Sequence, residues 1–226
     1  MAERPVFIPV IEKGFQLVRE KTISFQWHPG LAPSQKKKNI VELHKSAQKQ
    51  NITPLLEVST KSEDKIGFLL SAFNLKVEMT DGWVIPLESA FQGSKCFQDG
   101  GPYNDLYGKT GSEIKKDERI KNSGDLSGFS FDGQEWELEP RTAFYDWLYV
   151  QAVYRQPNLG QNLDRYHAFT DIEFNPRKSF NCQARSCALY VSLMKRQILE
   201  NVLGDRRVFL EILGRDEFYQ RYARLV

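Results

Sequence analysis

The sequence predicts a mainly α-helical α+β fold with a few short strands and hairpins. Long stretches carry apolar residues at helical spacing, most clearly over 182–203. The segments with strand-like composition are short and isolated, and they do not alternate with helices as in a doubly wound sheet. No glycine-rich loop follows a strand, so the usual dinucleotide and nucleoside triphosphate fingerprints are absent.

The first third of the chain is expected to combine short strands with one helix. TISFQW (22–27) alternates apolar and polar residues, as a half-buried strand does. SQKKKNIVELHKSAQKQ (34–50) has helical spacing, with Ser34 as its candidate cap. PLLEVST (54–60) is predicted to be a second strand.

The middle of the chain is expected to form a hairpin and then a helix. KIGFLLSAFNLKVEM (65–79) is apolar and predicted to be buried, with a strand in its later half before the turn signal Asp81–Gly82. Pro86 suits the first turn of a helix because its missing N–H is harmless there, and we expect this helix to reach about Phe97. The segment 98–133 is rich in Gly, Lys, Asp and Ser, which predicts a long irregular region with one short helix.

The rest of the chain is predicted to be largely helical. FSFDGQEWELE (129–139) indicates a hairpin about Asp132–Gly133, and Pro140 opens the helix that follows. Asn181 is the candidate cap of the strongly patterned helix. The predicted helices are 141–156, 159–167, 182–203, 205–213 and 215–224, with a loop over 169–181.

The chain is expected to form a single domain over 1–226. Hydrophobic residues make up 41% of its 226 residues, which indicates a globular chain with a sizeable core. Within it we expect an N-terminal elaboration (1–64), a core (65–203) and C-terminal helices (204–226). No apolar run approaches the roughly 20 residues that cross a bilayer, and the N-terminus lacks a signal pattern. We therefore expect a cytoplasmic protein without membrane contact.

The number and positions of the cysteines and histidines, together with the net charge, argue against several classes of function. The three cysteines and three histidines are scattered, which argues against a disulfide framework and a zinc site, so we expect no metal and no cofactor. A net charge of +2 is too balanced to indicate nucleic-acid binding by itself. Lysines do cluster between Lys36 and Lys49, either as a solvated helix face or as a phosphate-contacting patch.

Glu88, Gln92 and Lys95 form the pattern most suggestive of chemistry. Their i, i+4, i+7 spacing predicts that they share one face of the helix after Pro86. Gly93 inside a helix costs about 1 kcal/mol relative to alanine, which indicates close packing or close approach of a ligand. An acid, an amide and an amine on one face line a pocket, or they are only the polar side of an amphipathic helix. The spacing alone leaves both readings open.

Beyond this pattern, three elements in the same order resemble the NADAR (YbiA-like) family. They are SAF (71–73), DG (81–82) and the helix just described. The family's signature is a Ser-Asn-Phe segment, a short hairpin and a Glu-x-x-aromatic-Gln-x-x-Lys helix. This chain departs from it at Ala72, where the family usually has Asn, and at Ser89, where it often has His. The resemblance implies a YbiA-like helical core.

Longer blocks resemble one branch of that family, the NADAR antitoxins paired with DarT-type DNA ADP-ribosyltransferase toxins. The blocks are WHPG (27–30), AFQGSK (90–95), GGPYNDLY (100–107), AFYDWLY (143–149) and DIEFNPRKSFNCQARS (171–186). The resemblance implies a hydrolase, an ADP-ribosyl glycosidase that removes ADP-ribose from guanine in DNA and reverses the toxin's modification. The implied partners are ADP-ribosylated, single-stranded DNA and a cognate DarT-type toxin.

Two alternative functions stay open beside that one. The first is an N-glycosidase that acts on free nucleotides, such as intermediates of the riboflavin pathway. The second is a non-catalytic module that binds ADP-ribose or the toxin. The presence of Glu88, Gln92 and Lys95 together favours catalysis over binding alone.

Glu88 and Lys95 are the candidate catalytic residues. Glu88 would act as a general acid or base if its surroundings tune its pKa. Lys95 would be an electrostatic anchor, or it would form a Schiff base with ring-opened ribose if its pKa is depressed.

Further side chains are candidates for substrate binding. Tyrosines suit base stacking, arginine suits bidentate contact with phosphate, and a helix N-terminus suits an anion. Packing and capping are the alternative roles. The candidate set is Ser71, Asn74, Trp83, Gln92, Tyr103, Asp105, Tyr107, Asn175, Arg177, Asn181 and Arg185.

Overall fold

The computed structural model describes residues 1–30 and 32–223. The strands are β1 (Ala2–Pro9), β2 (Val18–Phe25), β3 (Leu55–Glu57), β4 (Lys76–Glu78), β5 (Val84–Pro86), β6 (Lys95–Phe97), β7 (Leu126–Phe131), β8 (Gln134–Trp136) and β9 (Ala168–Thr170). The helices are α1 (Pro33–Gln48), α2 (Lys65–Leu69), α3 (Leu87–Gly93), α4 (Gly111–Lys116), α5 (Arg119–Asn122), α6 (Ala143–Tyr154), α7 (Pro157–Gly160), α8 (Gln183–Lys195), α9 (Leu199–Gly204), α10 (Arg206–Arg215) and α11 (Glu217–Ala223). A 3-10 helix covers Asn104–Gly108.

A four-stranded sheet in the order β2-β1-β9-β3 lies between two helices. Successive side chains of a strand point to opposite faces. Val6 accordingly joins the smaller core cluster, which includes Ile40 and Leu43 of α1. Phe7 joins the larger cluster, which includes Leu189 of α8. The sheet therefore separates a small core beneath α1 from the main core of the molecule.

Helices α6 and α8 form the centre of the main core. Nearly every residue of α6 is buried, as is the run Ala184–Leu193 in α8. A helix that is apolar on all sides is a buried helix. Two small sheets flank these helices, the hairpin β4-β5 and the meander β6-β7-β8. The α+β class is therefore confirmed, with more strand than a mainly helical fold contains.

Most predicted elements are present, with shifted ends. The predicted strands 22–27 and 54–60 appear as β2 and β3, and both turn signals form hairpins. Gly82 and Gly133 have φ of +84° and +75° in those turns, a conformation that suits glycine. The predicted end of the last helix at 224 lies outside the described residues.

Three predictions about helices are wrong. The helix after Pro86 ends at Gly93 rather than near Phe97, and the predicted helix 182–203 is broken into α8 and α9. The predicted helix 159–167 is reduced to the single turn α7. Neither predicted cap acts as one, since α1 begins after Ala32 and α8 after Cys182, without a side-chain cap in either case.

Two regions are more regular than the sequence indicates. The segment 98–133 contains the 3-10 helix, α4, α5 and β7. Thr110 and Glu113 form a capping box at the start of α4. The predicted loop 169–181 begins within β9, which pairs with both β1 and β3. Within the described residues no helix is long and apolar enough to span a membrane.

Candidate active site

A tight turn over residues 68–75 receives the start of α3. The Ser71 hydroxyl donates to the Phe68 carbonyl oxygen (2.8 Å), and the Asn74 amide donates to Ser71 Oγ (2.9 Å). The backbone N–H of Glu88 then donates to the Ala72 carbonyl oxygen (2.9 Å). Ser71 and Asn74 thus shape the turn that fixes the first turn of α3.

Gln183 connects this turn to the N-terminus of α8. Its Oε1 accepts a hydrogen bond from the Ala72 N–H (2.7 Å), and its Nε2 donates to Asp171 Oδ2 (3.0 Å). Asp171 is buried, and this burial raises the pKa of its carboxyl group. Sequence reasoning missed Gln183, because an amide that joins residues 111 positions apart leaves no local pattern.

Helix α3 ends at Gly93 because the chain packs closely there. A Cβ atom at this position would lie 2.6 Å from Tyr107 Cε1 and 3.0 Å from the Tyr103 carbonyl oxygen. The Tyr103 N–H also donates to the Gly93 carbonyl oxygen (2.7 Å). Close packing, rather than approach of a ligand, therefore accounts for this glycine.

Lys95 belongs to strand β6 and not to the helix. It pairs with Phe129 of β7 in the antiparallel ladder. The prediction that Glu88, Gln92 and Lys95 share one helical face is therefore wrong for Lys95. The strand nevertheless brings Lys95 close to the helix, with its Nζ 5.2 Å from the centroid of the Phe91 ring.

The three polar side chains interact across this junction. Gln92 Nε2 donates to Glu88 Oε1 at 3.1 Å. Burial lowers the pKa of Lys95, and the negative charge of Glu88 opposes that shift only in part. An ammonium group in this position is poorly solvated, so a larger share of neutral amine is present than for a lysine in water.

Gln92 and Lys95 open into a cavity of about 710 Å³, large enough for a nucleotide-sized ligand. Its walls come from α3, the β6-β7-β8 meander, the start of α6 and the segment before α8. Its polar lining includes Tyr145 and Asn181. Glu88 does not line the cavity itself, but it accepts a hydrogen bond from Gln92, which does. The apolar lining residues include Phe91, Leu126, Phe129, Leu138 and Phe144.

Arg141, Thr142 and Phe180 form one side of this cavity. The Arg141 guanidinium carbon lies 4.2 Å from the centroid of the Phe180 ring, and 44% of Phe180 is exposed. Thr142 has a φ of +71°, which is uncommon for a β-branched residue. Its hydroxyl donates to Asp146 Oδ2 (2.7 Å), a contact that holds this conformation at the start of α6.

Four predicted substrate-binding residues lie beside the far end of α3 and do not line the cavity. Tyr103 bonds to Ser123, and Asp105 forms ion pairs with Arg119 and Lys109. Tyr107 is buried, and Trp83 packs edge-on against it with ring centroids 6.1 Å apart.

The predicted phosphate-binding residues are divided between different surfaces. Asn181 lines the cavity, whereas Asn175 and Arg177 line a separate groove beside β1. Arg185 is 3% exposed, and its guanidinium donates to Asp146 (3.3 Å) and Tyr219 (2.8 Å). The structure therefore brings Gln92, Lys95 and Asn181 together at one cavity, with Glu88 beside them.

The lysine cluster of α1 is partly neutralised by ion pairs. Lys36 pairs with Glu173, Lys37 with Glu63 and Lys45 with Glu42. Such ion pairs are typical of a solvated helix face, and they require no phosphate ligand. Across the described ranges 1–30 and 32–223, no three His, Cys, Asp or Glu side chains converge as a metal site requires.

The arrangement provides a carboxylate, an amine of lowered pKa and hydrogen-bonding groups around one cavity. Such a set can hold a sugar, move a proton to or from it and attack an electrophilic carbon. A family model described as a DarT1-associated NADAR antitoxin matches residues 2–223. No curated protein matches the chain.

Proposed function

The chain belongs to the family of DarT1-associated NADAR antitoxins, and from that premise we propose that it is an ADP-ribosyl glycosidase that hydrolyses ADP-ribose from guanine bases of DNA. The family supports an antitoxin role, with a DarT-type toxin as the cognate partner. The match also supports treating the chain as one NADAR-type domain.

One observation carries the proposal of catalysis: Lys95 faces a large cavity in a setting that lowers its pKa, with Glu88 close by. A module that only binds ADP-ribose has no need of an amine whose charge is disfavoured. Perturbed ionisable groups in clefts are typical of active sites. The size of the cavity and its apolar walls suit a nucleotide and an attached base.

In direct hydrolysis, Glu88 takes a proton from water as the water oxygen bonds to the anomeric carbon. The bond between that carbon and the guanine amine breaks, and the amine receives the proton that Glu88 took from the water. The products are ADP-ribose and unmodified guanine. In this route Lys95 stabilises negative charge on the substrate.

In the covalent route, the ribose ring opens and the neutral Lys95 amine adds to its first carbon. Expulsion of the guanine amine leaves an imine between Lys95 and the sugar, and water then hydrolyses this imine to release ADP-ribose. This route needs an uncharged amine, which the lowered pKa of Lys95 favours. We therefore include the covalent route in the proposal and test it separately.

The first experiment measures release of ADP-ribose by mass from an ADP-ribosylated, single-stranded oligonucleotide. We expect turnover by the unaltered chain and a loss of at least about 100-fold in Glu88→Gln. Glu63→Gln is the matched control, because Glu63 forms an exposed ion pair away from this cavity. Release from free nucleotides but not from DNA would favour the alternative N-glycosidase. Binding without release from either substrate would favour the non-catalytic module.

The second experiment adds borohydride during turnover. We expect a stable adduct on Lys95, and we expect Lys95→Arg to give neither adduct nor turnover, since guanidinium cannot form the imine. Full turnover by Lys95→Arg would eliminate the covalent route and leave Lys95 as an anchor.

A further inference from the structure

Tyr145 lies in the first turn of α6 with its ring buried and its side chain on the wall of the cavity. Its ring packs edge-on against Phe91, with centroids 5.2 Å apart and planes at 89°. Phe91 also lies beneath the Lys95 ammonium group. Tyr145 therefore belongs to the same packed unit as the amine of the candidate site.

Within the described part of the chain, no residue forms a hydrogen bond with the Tyr145 hydroxyl. Two other buried tyrosines have such partners, whereas Tyr190, which is also buried, has none among the described residues. Tyr149 donates to the Leu70 carbonyl oxygen at 2.7 Å, and Tyr219 donates to Asp146 at 2.7 Å. The ring of Tyr145 is buried, but its hydroxyl is not among the enclosed polar atoms that lack a partner, so it is open to the cavity. Because Tyr145 lines the cavity, a bound ligand is in a position to supply that partner.

The electrostatic surroundings keep the Tyr145 phenol protonated. Burial raises its pKa well above the ordinary value, and the charge of Glu88 adds to this effect. The other groups that raise it are Cys182, Asp171 and Asp146. The hydroxyl is therefore a hydrogen-bond donor at any pH at which the protein functions, and it suits an acceptor oxygen on the ligand.

We propose that Tyr145 is a catalytic residue that donates a hydrogen bond to an oxygen of the ribose whose bond to the base is cleaved. The proposal rests on the proposed glycosidase function. The carboxylate of Glu88 and the amine of Lys95 act at this ribose. The charge of Glu88 is felt at Tyr145, and Lys95 shares with Tyr145 the Phe91 ring and the cavity wall. The Tyr145 hydroxyl stabilises the negative charge that develops on the ring oxygen as the ribose ring opens in the covalent route.

The test compares Tyr145→Phe with Tyr149→Phe in the full chain. Each variant loses one hydroxyl from a buried ring of α6, but only Tyr149 loses hydrogen bonds within the protein, to Leu70 and Cys187. We expect Tyr145→Phe to keep its melting temperature, to lose about 100-fold in kcat and to raise KM by no more than about tenfold. We expect Tyr149→Phe to melt about 2–4 °C lower and to keep its turnover.

A second readout separates this proposal from the function on which it rests. It is the affinity for free ADP-ribose, which we expect Tyr145→Phe to weaken at least about fivefold, as a lost hydrogen bond does. If the unaltered chain binds ADP-ribose without releasing it from DNA, the glycosidase proposal fails, and weaker binding by Tyr145→Phe still supports the contact. Turnover and affinity within twofold of the unaltered chain would overturn the role of Tyr145. Absence of any ADP-ribose binding by the unaltered chain would overturn it as well.

Discussion

At the scale of single residues, the most unusual group outside the cavity is Glu57. It is fully buried, where it accepts hydrogen bonds from the Ser59 hydroxyl (2.7 Å), the Thr170 hydroxyl (2.8 Å) and the Ile172 N–H (2.9 Å). Burial raises the pKa of Glu57, and the nearby carboxyl of Asp171 raises it further. Arg4 is a cation that interacts electrostatically with both carboxyl groups, and burial lowers the pKa of its guanidinium.

This raised pKa predicts a pH-dependent stability. The folded chain holds a proton on Glu57 that the unfolded chain loses near pH 4.5. The free energy of unfolding therefore falls as the pH rises from about 4.5 through neutrality. Glu57→Gln imitates the protonated form, so it should match the unaltered chain at pH 4.5 and exceed it by at least about 1 kcal/mol at pH 8.

Urea denaturation at the two pH values measures this difference. The exposed Glu200→Gln serves as the control and should show no such trend. An advantage for Glu57→Gln that stays constant with pH would contradict the assignment of the proton.

Local spacing picks out three residues that meet beside the cavity, whereas most of the predicted substrate-binding residues lie away from it. Glu88, Gln92 and Lys95 lie beside one cavity, but Lys95 belongs to a strand and not to the predicted helix. Tyr145 carries no signal in the sequence, because it lies among the apolar residues of a buried helix. Only the three-dimensional structure shows that its hydroxyl faces open space.

At the scale of elements, the end of α3 decides where Lys95 points. Gly93→Ala should destabilise the chain by about 1–3 kcal/mol, because the added methyl group overlaps Tyr107 and the chain at Tyr103. The matched control is Gly214→Ala in α10, where a Cβ atom meets nothing within 4 Å. That substitution should stabilise the chain by up to about 1 kcal/mol. Thermal unfolding compares the two, and equal melting temperatures would contradict the packing argument.

Element prediction succeeds where the signal is local and fails where a distant partner supplies the order. The hairpin β4-β5 and the helices α1 and α6 follow from turn residues and spacing. No strand was predicted over 2–9, and Pro5 and Pro9 are unusual in a strand with partners on both sides. Strand β1 tolerates them because its second neighbour, β9, pairs only with Val6 and Phe7.

At the scale of the whole molecule, a buried polar cluster joins α6, α8 and α11. Asp146 accepts hydrogen bonds from Ser186 (2.6 Å), Tyr219 (2.7 Å) and Arg185 (3.3 Å). The Arg185 guanidinium also lies 3.6 Å from the centroid of the Phe218 ring. The cluster thereby ties the C-terminal helices to the core that bears the cavity.

Asp146→Ala should lower the free energy of unfolding by about 3–5 kcal/mol, because it leaves the charge of Arg185 buried without its carboxylate. Glu211→Ala breaks an exposed ion pair with Arg215 on α10 and should cost at most about 0.5 kcal/mol. Chemical denaturation measures both. Similar losses in the two variants would show that the buried cluster contributes no more than a surface pair.

The position of β1 has a consequence for folding during synthesis. This strand is made well before its neighbour β9, which begins only at Ala168, and the Leu17 N–H bonds to Asp216, 199 positions later. The sheet can therefore be completed only after β9 has been made, and the contact of Leu17 only after Asp216 has been made. A chain that ends before Asp216 lacks the carboxylate that accepts the hydrogen bond from the Leu17 N–H, next to β2. An antitoxin built in this way can protect only once the residues from Leu17 to Asp216 have all been made.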